Sequence, residues 1–378
     1  MPPLSLLIKP ASGLCNLHCR YCFYADEMAK RETFSYGIMT VETLEVILRR
    51  VFDDADGPVS LAFQGGEPTL AGLDFFRSAV ALSRQFNSAK LPVSFTLQTN
   101  GILLDDQWAA FFAENHFLIG LSLDGFREIH DKYRVYPNGS GTFDVVMEKV
   151  ELLKRHQVEF NILSVITRQT AGSVRKIFQF FKEHNLSYQQ YIPCLDPLNE
   201  VRGGHDYSLT TKKYEHFLKT LFDNWYREIS QGNAVHNRYF ENLVGMLLLQ
   251  PPESCGMIGH CSEQNVVEAD GSVYPCDFYV LDQYRLGNLL TDSFEDIRRR
   301  RREIGFIQQS MEVHAACQAC QWHPICRGGC RRDRQQSDGT LGLNYFCSAY
   351  QGFFSYAMPR LEQLARAVES GQLPGFCL

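Results

Sequence analysis

The chain has no apolar run that is long enough to cross a membrane. Its longest such run, residues 243–249, is far shorter than the ~20 residues that a transmembrane helix needs, and no cationic segment ahead of an apolar stretch marks a secretion signal. Positive charge is not in excess either, because 37 Lys and Arg residues stand against 43 Asp and Glu residues, a net charge of −6. We therefore expect a soluble, cytoplasmic protein that binds neither a membrane nor a nucleic acid.

Cysteine is absent from residues 23–193, although the chain has 13 Cys in all. Thiols stay reduced in the cytoplasm, and a chain of 378 residues buries a core large enough to need no disulfide. We therefore expect most of the Cys to bind metal, in one site near the N-terminus and in a separate group near the C-terminus. Two Cys fall outside this expectation: Cys194 follows an apolar segment and is expected to be buried, and Cys377 is expected to be exposed.

The cysteine-free stretch alternates between predicted strands and predicted helices. Segments rich in β-branched and aromatic residues predict six strands, at 4–10, 59–64, 93–99, 118–123, 160–166 and 188–193. Amphipathic segments between them predict helices at 41–52, 73–85, 106–114, 143–155 and 174–184. This order indicates an α/β fold in which a parallel sheet closes into part of a barrel, with its chemistry at the ends of the strands.

Three cysteines in one short loop follow the first predicted strand. Cys15, Cys19 and Cys22, the cysteine triad, have the spacing C-x3-C-x2-C. They can hold three irons of a [4Fe–4S] cluster, which normally takes four Cys, so that the fourth iron stays open to a ligand. A zinc site with His18 as the fourth ligand is the alternative. We favour the cluster because this spacing is unusual for a zinc knuckle.

Two further strand ends carry residues that suit a bound ligand. Gly65 and Gly66 follow the second strand and allow close approach of the backbone, while Glu67 could bind an ammonium group. Ser122 closes the fourth strand. Alone, the stretch of Gly65, Gly66 and Glu67 is a plausible ordinary turn, and the stretch around Ser122 alone is more typical of a turn than of a ligand site.

The C-terminal part contains enough cysteines for two complete sets of four. They are Cys255, Cys261, Cys276, Cys317, Cys320, Cys326, Cys330 and Cys347. A cluster with four thiolates has no open iron and should relay electrons, although two zinc sites would staple the domain equally well. Asp277 follows Cys276 directly. It could be a proton acceptor beside a cluster, or it could cap the loop by accepting hydrogen bonds from amides.

Taken together, these motifs resemble those of known families. The triad with Tyr21 between its last two Cys is similar to the signature of the radical S-adenosylmethionine (SAM) superfamily, and the eight C-terminal Cys resemble the SPASM extension of peptide-modifying members. With Pro275-Cys276-Asp277-Phe278-Tyr279 added, residues 8–356 resemble the anaerobic sulfatase-maturating enzymes.

This resemblance implies a fold and a set of cofactors. The fold is a partial, TIM-like (β/α)6 barrel over 1–208, a helical bridge over 209–254 and a small domain with two auxiliary clusters over 255–378. The cofactors are SAM and three [4Fe–4S] clusters. The SAM site would include Tyr21, Gly65, Gly66, Glu67, Ser122 and Leu195. Auxiliary cluster I would take Cys255, Cys261, Cys276 and Cys330, and auxiliary cluster II would take Cys317, Cys320, Cys326 and Cys347.

The resemblance also implies a radical SAM oxidoreductase. Its substrate would be an unfolded sulfatase segment, Cys/Ser-x-Pro/Ala-x-Arg, whose Cys or Ser becomes Cα-formylglycine. A 5′-deoxyadenosyl radical would take a Cβ hydrogen, Asp277 would take the thiol or hydroxyl proton, and an auxiliary cluster would take the second electron. Tyr24 and Gln64 would lie at the reacting residue, unless they only pack at the barrel mouth. Ferredoxin or flavodoxin would supply low-potential electrons.

Two other functions remain open on the sequence. Another SPASM maturase could form thioether or carbon–carbon crosslinks in a peptide, but such enzymes usually carry an N-terminal recognition domain, for which a first strand at Leu4 leaves no room. A zinc-stabilised binding protein without enzymatic activity is the second.

The arginine run at 298–302 favours a solvated helix face over a nucleic-acid patch, given the net negative charge.

Overall fold

A computed structural model of the chain describes residues 4–373 and residue 376. The chain divides into two compact units, and each is assembled from separate stretches of sequence. The first unit takes the residues up to 123 together with 130–160 and 263–306, and the second takes 124–129, 161–262 and the residues from 307 onward. Cys377 lies outside the described residues, so its expected exposure stays a prediction.

Ten strands are present in the described part of the chain. They are β1 (Leu4–Ile8), β2 (Val59–Phe63), β3 (Val93–Thr99), β4 (Leu118–Ser122), β5 (Phe160–Ile166), β6 (Tyr188–Pro193), β7 (His236–Asn237), β8 (Asn265–Val267), β9 (Ser272–Tyr274) and β10 (Gly287–Asn288).

The described residues also form sixteen α-helices. They are α1 (Phe23–Ala29), α2 (Val41–Asp54), α3 (Leu73–Phe86), α4 (Asp106–Glu114), α5 (Arg127–His130), α6 (Phe143–Arg155), α7 (Arg168–Gly172), α8 (Val174–Glu183), α9 (Thr211–Ser230), α10 (Arg238–Leu247), α11 (Phe294–Ile304), α12 (Phe306–Ser310), α13 (Ala315–Gln318), α14 (His323–Cys326), α15 (Arg331–Arg334) and α16 (Cys347–Glu369). None of them is both long and apolar enough to span a bilayer.

All six predicted strands and all five predicted helices of the cysteine-free stretch are confirmed, with ends that shift by two residues or fewer. In the first unit, β1 pairs with β2, β2 with β3 and β3 with β4, all in parallel. In the second unit, β5, β6 and β7 are parallel. The reason is visible in β2, where Val59, Leu61 and Phe63 are all buried and present an apolar face to the core.

The first unit also recruits a strand from far along the chain. β8 pairs in parallel with β1, and β8 and β9 form an antiparallel hairpin, closed by Gly271 with φ at 83°. Residues 263–306 therefore belong to the unit that contains β1, so the compact units cross the predicted domain limits at 208 and 254. The predicted domain boundaries after residues 208 and 254 therefore stay predictions.

The predicted helical bridge consists of α9 and α10 in the second unit. Phe217, Leu221 and Trp225 of α9 are buried, because they recur at helical spacing on one face. Cys194, after β6, is 4% exposed, as expected.

The arginine run lies on α11 and pairs mostly with nearby acids. Arg298 makes two bonds of 2.9 Å to Asp54, and Arg302 donates to Glu295 at 3.1 Å. A solvated helix face is thus confirmed for most of the run. Arg301 is the exception, because it is 4% exposed and donates to Asn265 at 2.7 Å.

Candidate active site and cluster ligands

The cysteine triad follows β1 and precedes α1 in the first unit. Cys15 is exposed and Cys19 and Cys22 are partly buried. The Leu17 amide donates to Cys15 Sγ at 3.4 Å, and Asn100 Nδ2 lies 3.8 Å from the same sulfur. Donors of this kind stabilise the negative charge of a metal-bound thiolate.

Gly65 and Gly66 lie where a side chain would not fit. A Cβ atom at Gly66 would lie 2.1 Å from the Leu14 carbonyl oxygen, and one at Gly65 would lie 2.5 Å from Cε of Lys9. Their φ angles are 96° and 53°. The Glu67 amide donates to the same Leu14 oxygen at 2.8 Å. The loop after β2 is therefore held against the loop that leads into the triad.

Glu67 is 1% exposed, and donors from the protein surround its carboxylate. Oε1 accepts from the Thr69 amide and hydroxyl at 3.1 and 2.6 Å and from the Thr99 hydroxyl at 2.7 Å. Among the described residues, Oε2 accepts from the Asn100 amide alone, at 2.8 Å. Burial raises the pKa of Glu67, and these donors oppose the rise. Oε2 retains room for an ammonium donor.

The other predicted SAM-site residues are divided between the units. Tyr21, in the triad loop, is 8% exposed, and Ser122, at the end of β4, accepts a hydrogen bond of 3.1 Å from Gln98. Both belong to the first unit. Leu195 follows β6 and belongs to the second.

Arg134 was not singled out by the sequence, although it lies beside the triad. Its guanidinium carbon is 5.5 Å from the centre of the Tyr21 ring, and the residue is 8% exposed. Burial raises the pKa of Cys22, and Arg134 is among the groups that oppose the rise. Arg134 lies in a loop with no regular pattern, so the sequence offered no signal for this placement.

Asp277, Tyr24 and Gln64 meet in the first unit. Asp277 Oδ2 accepts from the Tyr24 hydroxyl at 2.6 Å and from Gln64 Nε2 at 3.0 Å, and Gln64 Nε2 also donates to the Tyr24 oxygen at 2.8 Å. Oδ1 is buried and accepts no hydrogen bond from the described residues. No backbone amide of those residues donates to Asp277, which speaks against a loop cap.

A buried charge network lies behind this carboxylate. Lys9 Nζ is 3.3 Å from Glu268 Oε1 and 4.6 Å from the centre of the Tyr24 ring, and Arg31 donates to the same Glu268 oxygen at 2.7 Å. Burial alone would raise the pKa of Glu268, but Lys9 and Arg31 lower it below its usual range. Burial raises the pKa of Asp277, and Lys9 is the strongest of the groups that oppose the rise.

Glu27 adds a second buried carboxyl group to this region. It is 2% exposed, its Oε1 accepts from the Val280 amide at 3.4 Å, and its Oε2 has no hydrogen-bond partner among the described residues. Burial raises the pKa of Glu27 to about 8, against the opposing effect of Lys9. The sequence analysis missed Glu27. Lys9 directly follows the apolar strand β1, and a lysine in that place was a usable signal that a carboxyl group lies nearby.

Four C-terminal cysteines line one cavity in the second unit, and this cavity opens to solvent. They are the four assigned by resemblance to auxiliary cluster II: Cys317, Cys320, Cys326 and Cys347. Trp322 and Tyr350 form part of the wall, and Gln351 Nε2 lies 3.9 Å from Cys320 Sγ. Burial raises the pKa of Cys326 to about 11, so metal binding there must displace a proton.

The set assigned to auxiliary cluster I is divided between the units. Cys255, Cys261 and Cys330 belong to the second unit, whereas Cys276 belongs to the first. A Cβ atom on Gly256 would lie 3.6 Å from Cβ of Cys330, and the Ser262 hydroxyl is 3.5 Å from Cys255 Sγ. Burial raises the pKa of Cys330 to about 12.

The short helix α15 follows Cys330 directly and buries three arginines. Arg331, Arg332 and Arg334 are 5–6% exposed. Burial raises the pKa of the Cys261 thiol, and Arg331 and Arg334 are among the groups that oppose the rise. Burial also raises the pKa of Cys317, with Arg334 in opposition.

The donors of all three groups fit iron–sulfur clusters. Within residues 4–373 and 376, no three His, Cys, Asp or Glu side chains gather closely enough to hold one metal ion. A [4Fe–4S] cluster is bound differently, because each thiolate ligates its own iron. The cavity lined by Cys317, Cys320, Cys326 and Cys347 supplies the four thiols that such a cluster takes.

Two family models match the chain. The model of the radical SAM superfamily matches residues 10–181, and that of an iron–sulfur cluster-binding domain, SPASM, matches residues 255–321. A cysteine-type anaerobic sulfatase-maturating enzyme of Clostridium perfringens is 50% identical over 98% of this chain and 100% of its own length. The chain belongs to the anaerobic sulfatase-maturating enzymes.

Solved structures agree with this assignment. Native anSMEcpe with bound AdoMet and Cp18Cys peptide superposes with a TM-score of 0.93 at 50% identity, over 97% of this chain and 100% of the other. Streptococcus suis SuiB bound to precursor peptide SuiA reaches 0.62 at 18% identity, which shows a shared fold alone. The predicted fold class, the radical SAM enzyme class and the use of SAM and [4Fe–4S] clusters are thereby confirmed for this sulfatase-maturating enzyme.

Proposed function

We propose that this chain oxidises a cysteine in an unfolded sulfatase segment of the form Cys-x-Pro/Ala-x-Arg to Cα-formylglycine. Oxidation of a serine at the same position of the segment is the alternative. Cysteine-type relatives are 50% and 44% identical to the chain, whereas serine-type relatives are 29–30% identical. The target thus follows the more similar group.

The observation that carries the proposal is the free oxygen of Asp277. Its Oδ2 is held by Tyr24 and Gln64, while Oδ1 is buried and unengaged by the described residues. A carboxylate fixed at one oxygen presents the other in a defined orientation. Its pKa, raised by burial, makes it a better proton acceptor than an exposed aspartate. Asp277 would take the substrate thiol proton at Oδ1.

Tyr24 and Gln64 would orient this acceptor and contact the reacting residue. When bound, SAM and the clusters would supply the radical that removes a Cβ hydrogen and the route for the second electron. The chain would hold SAM with Tyr21, Gly65, Gly66, Glu67, Ser122 and Leu195, and the open cluster with the cysteine triad. The two closed clusters would take the eight C-terminal Cys in the partition given above.

Three points about partners and location stay predictions. A ferredoxin or flavodoxin would supply low-potential electrons, no nucleic acid or membrane would be bound, and the enzyme would act in the cytoplasm. The net charge of −6 is compatible with the absence of a nucleic-acid partner.

The test is a mass spectrum of a peptide substrate. The anaerobically reconstituted chain is incubated with SAM, dithionite and a Cys-x-Pro-x-Arg peptide, with the matching Ser peptide in parallel. We expect the thiol to be replaced by an aldehyde, together with 5′-deoxyadenosine. Cleavage of SAM with both peptides unchanged would contradict sulfatase maturation and favour a crosslink-forming maturase.

Metal analysis of the same sample separates clusters from zinc. We expect iron and sulfide in equal amounts and a brown protein that absorbs near ~400 nm, as [4Fe–4S] thiolate sites do. A colourless protein with bound zinc would contradict cluster binding and favour the non-enzymatic alternative.

A further inference from the structure

Arg334 is a buried cation for which the described residues provide no counter-charge. It is 6% exposed, and its two terminal nitrogens donate to the backbone carbonyls of Glu312 and Ser310 at 3.1 and 2.7 Å. Its Nε is buried and has no hydrogen-bond partner in residues 4–373 or 376. The acid in the same helix, Asp333, pairs with Arg202 at 3.0 Å.

A buried charge without a partner is costly, so its neutralisation points to a ligand. Arg334 lies among the cysteines of the second unit. Ser310, whose carbonyl it binds, accepts the Cys261 amide on its hydroxyl at 2.8 Å, and Glu312 begins the segment that leads to Cys317. A Cβ atom added to Gly328 would lie 4.0 Å from Arg334 Cδ, and Gly328 lines the same cavity as Cys317. By the proposed partition, Cys261 and Cys317 belong to different auxiliary clusters.

The missing anion is then supplied by the clusters themselves. A [4Fe–4S]²⁺ cluster with four thiolates carries a net charge of −2, which becomes −3 after it gains one electron. A nearby cation stabilises the reduced form more than the oxidised form, and charge and hydrogen bonds to sulfur are recognised determinants of cluster potential.

We propose that Arg334 sets the reduction potential of the auxiliary clusters, holding it high enough for them to accept the electron that the substrate radical gives up. In that step the substrate carbon loses one electron, its thiol loses one proton to Asp277, and the cluster gains the electron. Arg334 would therefore act through the clusters by its charge, as a positioning residue. The inference rests on the proposed cluster ligation.

The test is an anaerobic redox titration of the full-length protein, followed by electron paramagnetic resonance. The cysteine triad is replaced by alanine so that only auxiliary clusters contribute. For Arg334→Gln we expect the ratio of reduced to oxidised cluster at a fixed potential to fall ~tenfold, which is about 59 mV for a one-electron couple. Arg334→Lys keeps the charge and should remain close to the parent.

Arg360→Gln is the matched control. It also removes one arginine from the second unit, but this guanidinium pairs with Asp223 at 2.9 Å and is partly exposed. We expect no shift. An unshifted potential in Arg334→Gln with its iron intact would overturn the inference. Loss of auxiliary iron from both Arg334 variants would also overturn it, because the Arg334 guanidinium would then serve only to hold the backbone at Ser310 and Glu312.

The titration needs neither SAM nor peptide, so the two proposals fail separately. A shifted potential in a chain that forms no formylglycine would contradict only the proposed substrate. Normal formylglycine formation by the parent together with an unshifted Arg334→Gln potential would contradict only the role of Arg334.

Discussion

At the scale of single residues, the region around Asp277 separates two tasks. Tyr24 and Gln64 fix one oxygen of the carboxylate, while Lys9 and Glu268 set the surrounding charge without a hydrogen bond to it. Tyr24 and Gln64 thus fix the orientation of the Asp277 carboxylate. Lys9 and Glu268 affect its pKa.

Replacing Asp277 by Asn tests whether the carboxylate takes the thiol proton. The amide has nearly the same shape but cannot take the thiol proton, so we expect peptide oxidation to fall about 10²–10⁴-fold, the usual contribution of a general base. Cluster content and SAM cleavage should persist, because Asp277 ligates no iron. Formylglycine and 5′-deoxyadenosine are quantified in the same reaction. Asp282→Asn, an exposed acid of the same unit, is the control, and a wild-type rate in Asp277→Asn would exclude the base role.

Glu27 gives a prediction about stability and pH. Its pKa is raised to about 8, so the native state favours the protonated form, and stability falls as pH rises from the unfolded pKa toward 8. Glu27→Gln removes this loss. We expect equal unfolding free energies near pH 5 and an advantage on the order of 2–4 kcal/mol for the variant above pH 8. Urea unfolding at the two pH values measures it, and equal slopes with pH would contradict it.

Local sequence was sufficient for some of these residues and not for others. Asp277 could be predicted because it adjoins Cys276, and Gln64 because it ends a strand beside two glycines. The partnership of Lys9 with Glu268 joins opposite ends of the first unit's sequence, so no local pattern reports it. Arg334 escaped notice for the same reason, since its isolation emerges only once its neighbours are placed.

At the scale of elements, the junction between two loops is the sharpest constraint. The loop after β2 and the loop before the triad meet at Gly66 and the Leu14 carbonyl. No flexible side chain lies there to move aside, so the backbone itself must yield to any added atom.

Gly66→Ala tests this junction. The new Cβ would lie 2.1 Å from the Leu14 oxygen, and we expect the triad loop to shift and SAM affinity to fall at least ~tenfold, about 1.4 kcal/mol. Equilibrium dialysis of SAM against the reconstituted protein measures it. Gly72→Ala also has positive φ, 82°, but nothing within 4 Å of its added Cβ. An equal loss in both variants would assign the effect to backbone strain alone.

Long elements were predictable, whereas the shortest ones were not. β3, β5 and β6 match their predicted ranges because a β-branched or aromatic residue begins each strand and others recur along it. β7 and β10 have two residues each, and helices such as α13 have four. Their positions depend on partners elsewhere in the chain and on the cysteine loops, which carry no periodic pattern.

At the scale of the whole molecule, the first unit is completed by residues 263–306. β8 extends the sheet at β1, and Glu268 neutralises both Lys9 and Arg31 in the interior. A division after residue 254 would separate these partners. The sequence could not reveal this, because the auxiliary-cluster motif begins at Cys255 and suggests a boundary there.

Glu268→Gln tests how far this interior pairing stabilises the protein. Lys9 and Arg31 would lose the one carboxylate that pairs with them among the described residues, and we expect a loss of about 3–5 kcal/mol in the free energy of unfolding. Glu263→Gln is the control, because that residue is half exposed and lies 3.5 Å from Arg301. It should cost less than about 1 kcal/mol. Similar values for both variants in urea unfolding would contradict the interpretation.

The late arrival of β8 has a consequence for biosynthesis. At about 5–20 residues per second, a ribosome reaches β8 roughly 10–40 s after it has completed β2. Throughout that interval the nascent β1 has one open edge, and the cysteines behind it have emerged without the segment that closes their unit. We therefore expect the triad cysteines to be more open to oxidation during translation than after β8 has paired, so cells grown without oxygen should yield more chains with an intact triad.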